Sequence, residues 1–195
     1  MPGPEHPVGP PAEWPASNPL LTKVRAFDEA VDTWIAAHRS RAADAVFYGL
    51  SSAADHSILW FTIGALQSVR RRDPSRGLRL ATAIAGESIL TNGIVKSFFR
   101  RVRPPLEQDE GPLPFGMRRP ITSSFPSGHA TSAFMAAIVL SEGTGIAPAY
   151  FVLAAAVAGS RVYVRMHHAS DVIAGAAFGL ALGVVARRVL PDASR

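Results

Sequence analysis

Charged residues are excluded from long stretches of this chain, and that exclusion limits its fold more than any other feature. No Asp, Glu, Lys or Arg occurs from Pro120 to Ser141, from Gly143 to Ser160 or from Val172 to Ala186, and His56 to Val69 is nearly as clean. Rich in Ala, Val, Leu, Ile and Gly, these runs approach the ~20 residues that a helix needs to cross a hydrocarbon core, with arginines at their ends able to reach outward. A helical bundle in water would need polar faces at helical period, and the runs lack them. The expectation is an all-α, polytopic membrane bundle. At 195 residues, 48% hydrophobic and 18% charged, the chain suits one domain and leaves little room for a second.

Residues 1–20 form an expected disordered tail, since seven of the sixteen prolines lie before residue 20 and no apolar period is present. They lack the basic start and apolar core of a secretory signal, so no cleavage is expected. A single membrane domain is expected over 21–190, followed by a short tail at 191–195. From Leu21 to Arg39, Val24, Phe27, Ala30, Val31, Trp34 and Ile35 recur at helical spacing between acidic residues, which predicts an amphipathic helix at the membrane interface. Five spanning helices are expected: Ala45 to Val69, with a kink or helix start at Asp55 and His56; Leu78 to Phe99; Gly128 to Ser141; Ile146 to Arg165; and His167 to Leu190. Arg70 to Arg79, with five arginines, Pro74 and Gly77, reads as a short loop. The proline-rich stretch from Arg100 to Phe125 reads as a long polar loop, the kind of segment that carries function.

Three segments bear chemistry. Lys96 and Arg103 place two cations where a helix gives way to the long loop, an arrangement that membrane-interface anchoring also explains. Pro126-Ser127-Gly128-His129 opens a clean apolar helix, so unpaired backbone N–H groups point at whatever sits above it; a capping turn with an incidental histidine fits almost as well. Ser160-Arg161, His167 and Asp171 form the third. His167 and Asp171 stand four apart, on one face if helical, so the carboxylate can take the imidazole N–H and leave the other nitrogen as nucleophile; a stray His and Asp at a helix start is the plainer reading. Taken together, two histidines, a carboxylate and three cations at helix ends suit one task, which is holding a phosphate while one histidine attacks and the other supplies a proton.

In order and internal spacing, Lys96 to Pro104, Pro126 to His129 and Ser160 to Asp171 resemble the three-part signature of the type-2 phosphatidic acid phosphatase and vanadium haloperoxidase superfamily. The resemblance covers residues 25–190. It implies a helical bundle with its site at one membrane face and hydrolysis of phosphate monoesters or diphosphates with no metal and no cofactor. Carried over by position, His167 becomes the nucleophile, Asp171 its orienting partner, and His129 the acid that protonates the leaving oxygen and later activates water. Lys96, Arg103 and Arg161, with the backbone near Ser127 and Gly128, would hold the phosphoryl oxygens. Ser160 is a minor contact and His168 at most a supporting neighbour. Long forms of the family have six spanning helices, whereas five are expected here, with Leu21 to Arg39 standing in place of a connector.

The absence of cysteine excludes disulfides, Cys-ligated zinc, iron–sulfur clusters and thiol nucleophiles. A net charge of +5 raises a polyanion partner, but its distribution around apolar runs directs the reading to a membrane and a lipid phosphate, with no nucleic acid. Asp55, His56 and Glu87 fall within apolar runs, and structural pairing inside the bundle is favoured for them over substrate contact. The positive-inside rule does not orient the chain, because nine non-catalytic lysines and arginines on the motif face meet eight opposite; the resemblance places the site outside the cytoplasm. Phosphatidate, phosphatidylglycerophosphate, a polyprenyl phosphate derivative and a polyprenyl diphosphate all fit as substrates. The Ala- and Arg-rich composition suggests a high-GC bacterium, where small forms of this kind resemble polyprenyl-phosphoribose phosphatases. The alternatives are a vanadate-dependent haloperoxidase, disfavoured by the short chain, and a non-enzymatic scaffold or transporter, disfavoured by the intact motifs. Gly175 and Gly179, at GxxxG spacing, allow close helix packing within the bundle or between copies.

Overall fold

The acidic residue that interrupts the first apolar run also breaks the helix. In a computed structural model describing residues 18–105, 114 and 119–190, helices α2 (Arg41–Ala53) and α3 (Ile58–Arg71) replace the single helix expected over Ala45 to Val69. A 3-10 turn at Asp55–Ser57 joins them, with His56 (φ 52°) and Ser57 (φ 61°) in the left-handed region. Such consecutive non-glycine residues are costly, and the surroundings must hold them. The break lets the Asp55 side chain leave the helix line and reach His129 on another helix.

Upstream, α1 (Pro19–Ala37) is the helix expected from Leu21 to Arg39. Asn18 accepts from the Leu20 N–H at 2.9 Å, and Pro19 sits at the first turn, where a missing N–H costs nothing. The tails expected at 1–20 and 191–195 lie outside the described residues except for 18–20, as do 106–113 and 115–118 of the long loop.

The loop expected over Arg70 to Arg79 is mostly helix. Only Arg72 and Asp73 separate α3 from α4 (Pro74–Ser88). The residues read as breakers have other uses: Asp73 caps α4 through Ser75 N–H at 3.1 Å, Pro74 occupies the first turn, and a Cβ on Gly77 would meet Ser68 Oγ at 2.8 Å. Past Ser88 the helix widens into a π stretch, Ile89–Ile94, and tightens into a 3-10 turn, Val95–Phe98. The helix expected over Leu78 to Phe99 thus begins earlier and loses its regularity halfway. Helices α5 (Gly128–Ser141), α6 (Ala147–Tyr163) and α7 (Ala169–Val189) fall where the apolar runs place them, except that His167 stays in the turn before α7. Among the described residues, α7 is the one helix both long and apolar enough, by length and composition, to span a membrane unaided, and α5 is apolar but shorter.

Helices α3 to α7 run alternately between two ends of one bundle. At one end Arg79 and Arg187 meet the buried Glu142 at 2.6 and 3.4 Å, Arg71 reaches Gly143 O at 3.0 Å, and Gln67 bonds Leu140 O and Tyr150. The other end gathers Asp55, Lys96, His129, Arg161 and His167. Helix α5 runs through the centre, buried on nearly every side, and packs chiefly on α7. Glycine makes that approach possible, since a Cβ on Gly175 would lie 2.5 Å from Ser127 O and one on Gly179 would overlap the Thr131 backbone. The seam expected from Gly175 and Gly179 therefore lies inside the bundle. Large apolar side chains such as Leu66, Val69, Leu78, Ile89, Phe98, Val152 and Ile173 face outward, while carboxylates and guanidinium groups lie within. That distribution suits a lipid surround.

Candidate active site

His167 is held by its turn rather than by a helix. Its backbone N–H reaches Arg161 O at 3.1 Å, the ring is 2% exposed, and Nδ1 lies 2.7 Å from the Ser124 carbonyl. A carbonyl can only accept, so the proton sits on Nδ1 and the lone pair on Nε2. Arg103 Nη1 stands 3.3 Å from Nε2 and donates to it; the same nitrogen donates to Met166 O at 2.6 Å. Burial pushes the His167 pKa down to about 3, and the nearby arginines push the same way. The imidazole is thus neutral and nucleophilic at neutral pH. Burial also lowers Arg103 to about 10, which leaves it charged.

Asp171 takes a different place from the one its spacing suggests. It is fully buried, yet Oδ2 stands 3.8 Å from His167 Nδ1, and the Ser124 carbonyl takes the closer position. Oδ2 accepts from the His168 N–H at 2.9 Å and so caps α7, while Oδ1 meets Arg101 at 2.5 Å. Arg101 bridges on to Asp28 of α1, also at 2.5 Å, and Asp28 accepts from Ser170 N and Oγ at 2.8 and 2.7 Å. The carboxylate thus fixes the start of α7 and the turn carrying His167, with its electrostatic hold on the ring at longer range.

His129, in the first turn of α5, points Nε2 at Asp55 Oδ1, 2.8 Å away. Arg161, in the last turn of α6, reaches Ser51 Oγ and stands 3.7 Å from Asp55; its Nε is buried and has no hydrogen-bond partner among the described residues. Lys96 lies in the 3-10 turn after the π stretch, with Nζ 3.8 Å from where a Cβ on Gly128 would stand. Lys96, Arg103, Gly128, His129, Arg161 and His167 line one cavity of about 960 Å³, with Asp55 and Glu87 also in its wall. Three cations, an unprotonated imidazole nitrogen and a second histidine facing one space can bind a phosphoryl group and attack it.

Three expected residues stand elsewhere. Ser127 is the α5 cap: its Oγ accepts from Ala130 N at 3.4 Å, and its own N–H goes to Asp171 O at 3.1 Å, so neither group is free for a phosphate. The orphan donors that remain are those of the following turn, at Gly128. Ser160 turns its hydroxyl back to Val157 O at 2.6 Å, as a serine within a helix commonly does. His168 caps α7 and points to Val102 O at 3.2 Å, outside the cavity. Conversely, the sequence reading missed Ser124, Arg101 and Asp28. Ser124 acts through its carbonyl, which no side-chain pattern reveals, and Arg101 is one of three arginines within four residues.

A family model described as the PAP2 superfamily matches residues 76–195. The decaprenylphosphoryl-5-phosphoribose phosphatase of Mycobacterium tuberculosis is 33% identical over 144 residues, 70% of this chain and 75% of that protein. The phosphatase of the same name from Mycolicibacterium smegmatis is 30% identical over 126 residues, 65% of this chain and 67% of that one. Among solved structures, the transmembrane PAP2 type phosphatidylglycerolphosphate phosphatase of Bacillus subtilis superposes with a TM-score of 0.69 at 25% identity, covering 89% of this chain and 90% of that chain. Aquifex aeolicus LpxE gives a TM-score of 0.63 at 25% identity, covering 86% and 94%.

Proposed function

Because the chain belongs to the PAP2 superfamily, we propose that it is a membrane lipid phosphatase working through a phosphohistidine on His167. The observation that carries this is the state of His167, whose Nδ1 proton is committed to Ser124 and whose Nε2 lone pair is turned to a cationic cavity. Arg103 guards Nε2 at rest; an incoming phosphoryl oxygen replaces the imidazole as acceptor of its N–H. Nε2 then attacks phosphorus, the P–O bond to the lipid breaks, and the leaving oxygen takes a proton from His129. Lys96, Arg103, Arg161 and the N–H groups at Gly128 balance the charge that builds on the phosphoryl oxygens. In the second half, His129 accepts a proton from water, the oxygen attacks phosphorus, and the P–N bond breaks to release phosphate. Asp55, 2.8 Å from His129 Nε2, holds the ring in place for both proton transfers.

The polyprenyl sugar phosphate of the mycobacterial relatives heads the list of substrates, because those relatives match most of both chains. A lipid fits the architecture: its tail stays among the outward apolar side chains while its head enters the cavity. Helices α3 to α7 supply five membrane crossings, with α1 at the interface against the site end, and that end faces out of the cytoplasm. The dense arginines at the α3–α4 link support this orientation as a cytoplasmic anchor. Phosphate release from lipid phosphates by purified protein in detergent tests the reading. Turnover should persist in excess EDTA and be inhibited competitively by vanadate, whose trigonal-bipyramidal form resembles the phosphoryl transition state. Loss on chelation with recovery on Mg²⁺, or indifference to millimolar vanadate, would contradict it.

A further inference from the structure

The cavity holds a polar wall that phosphoryl transfer does not use. Glu87, in the last turn of α4, is 4% exposed, and the buried Thr91 hydroxyl one turn on is the side-chain donor beside it among the described residues. A buried carboxyl group with a single side-chain donor beside it has acceptor capacity left over, and its place in the wall of a binding cavity suits donors that arrive with the ligand. Ser88 and Asn92 line the same cavity, and Asn92 Nδ2 lies 3.2 Å from Ser88 Oγ. In a regular α-helix each step of four residues drifts around the axis; the wider π stretch at Ile89–Ile94 drifts the other way and keeps Ser88, Asn92 and Lys96 on the cavity side. Asn92 Oδ1 and Lys96 Nζ lie 3.4 and 3.8 Å from the same point above Gly128, so this polar wall runs directly into the phosphate site.

Resting on the lipid-phosphatase reading, we infer that Glu87, with Ser88 and Asn92, forms a head-group subsite that receives hydroxyl groups carried close to the scissile phosphate. The preferred substrate is then a lipid phosphate with a hydroxylated head, sugar or glycerol, rather than one whose phosphate sits directly on a diacylated glycerol. The Glu87 carboxyl oxygens can accept hydrogens from hydroxyl groups on such a head. Sites built to bond a substrate hydroxyl reject the analogue that lacks it by large factors.

The test compares the full-length wild type, Glu87→Gln and Glu87→Ala in detergent on polyprenyl-phosphoryl-ribose 5-phosphate, phosphatidylglycerophosphate and phosphatidate, reading kcat/KM from released phosphate. Glu87→Ala should lose about tenfold or more on the two hydroxylated substrates and stay within about twofold of wild type on phosphatidate, with Glu87→Gln between. A larger loss on the ribose substrate than on the glycerol one assigns the subsite to a sugar; equal losses assign it to either. Uniform loss on all three substrates would show that Glu87 serves Lys96 or the fold, and no loss would show that it meets no hydroxyl; each overturns the inference. Thermal unfolding provides a check independent of turnover. Ribose 5-phosphate should stabilise the wild type more than inorganic phosphate does, and Glu87→Ala should respond equally to both; a variant blind to inorganic phosphate would overturn the inference as well. Wild-type protein that released phosphate from none of the lipids would defeat the lipid-phosphatase reading itself, and the subsite with it.

Discussion

Asp55 and His129, from different helices and 74 positions apart, meet at 2.8 Å through Asp55 Oδ1 and His129 Nε2. The contact depends on the break between α2 and α3, where two residues adopt left-handed backbone so that the carboxylate can face the start of α5. The pair anchors one imidazole nitrogen and so fixes the ring proposed to give the leaving oxygen its proton.

From this follows a dependence on the leaving group. An alkoxide leaving from a lipid monophosphate needs a proton; a nitrophenolate needs it far less. His129→Ala should lower turnover of an alkyl phosphate by about 10²-fold or more while retaining a burst of enzyme phosphorylation with an aryl phosphate, followed by a stall because no base activates water. Asp55→Asn should move in the same direction by a smaller factor and shift the acid–base limbs of the pH profile. Equal losses on both substrate types would show that neither residue handles the leaving-group proton.

The burial of His167 makes a prediction about pH. Its folded pKa is pushed down to about 3, against about 6.5 when unfolded. Between these values the unfolded chain binds a proton that the folded one refuses, so stability falls as pH drops from about 6.5 toward 3. The unfolding midpoint of the wild type should decline between pH 7 and pH 4.5 more steeply than that of His167→Gln, which cannot titrate. Phosphorylation by an aryl phosphate should show no limb near about 6.5 that His167 accounts for, because the nucleophile remains neutral over the same range. Matching stability slopes for the two proteins would contradict this placement of His167.

The buried bridge from Asp28 through Arg101 to Asp171 predicts that α1 is needed by the site it does not line. Removing one partner of a buried ion pair typically costs about 3–5 kcal/mol, because it strands the other charge. Asp28→Ala should therefore lower the unfolding midpoint markedly and reduce turnover on every substrate alike. The double variant Asp28→Ala with Arg101→Met should lose less stability than the sum of the two single losses, because both changes remove the same pair. Additive losses in a double-mutant cycle would show that the two residues act separately.

What the sequence reveals and conceals divides along physical lines. The apolar runs placed α5, α6 and α7 within a few residues, because exclusion of charge over a helix length has few other meanings. The break at Asp55 was visible only as a charged interruption; its outcome depended on a partner 74 residues away. Pro74 and Gly77 suggested a loop, yet both work inside helices, one at a first turn and one as a packing notch. At the site, spacing brought Lys96, Arg103, His129, Arg161 and His167 to one cavity, since helix ends carry their side chains with them. It misdirected Ser127, whose N–H is taken by Asp171 O, and Ser160, whose hydroxyl bonds locally, and it placed Asp171 nearer the imidazole than the Ser124 carbonyl allows.

The α5–α7 seam is the least forgiving part of the fold. A side chain at Gly179 would enter the Thr131 backbone, and the same seam sets Ser127 N–H against Asp171 O at 3.1 Å. Gly179→Leu should separate the two helices, with a cost of at least about 1–3 kcal/mol from overpacking and a loss of activity exceeding that of Gly159→Leu, where a Cβ meets open space. Thermal unfolding and turnover of the two variants check this; equal behaviour would deny the seam its role.

The most direct test of the account is whether phosphate passes through His167. Rapid mixing with a ³²P-labelled aryl phosphate, followed by quenching in base, should trap an acid-labile, base-stable phosphoenzyme on the wild type that peptide mapping assigns to His167. The phosphoenzyme should be absent from His167→Ala and should accumulate on His129→Ala. Turnover by the wild type with no trappable phosphoenzyme, or a phosphoenzyme that survives His167→Ala, would contradict the account.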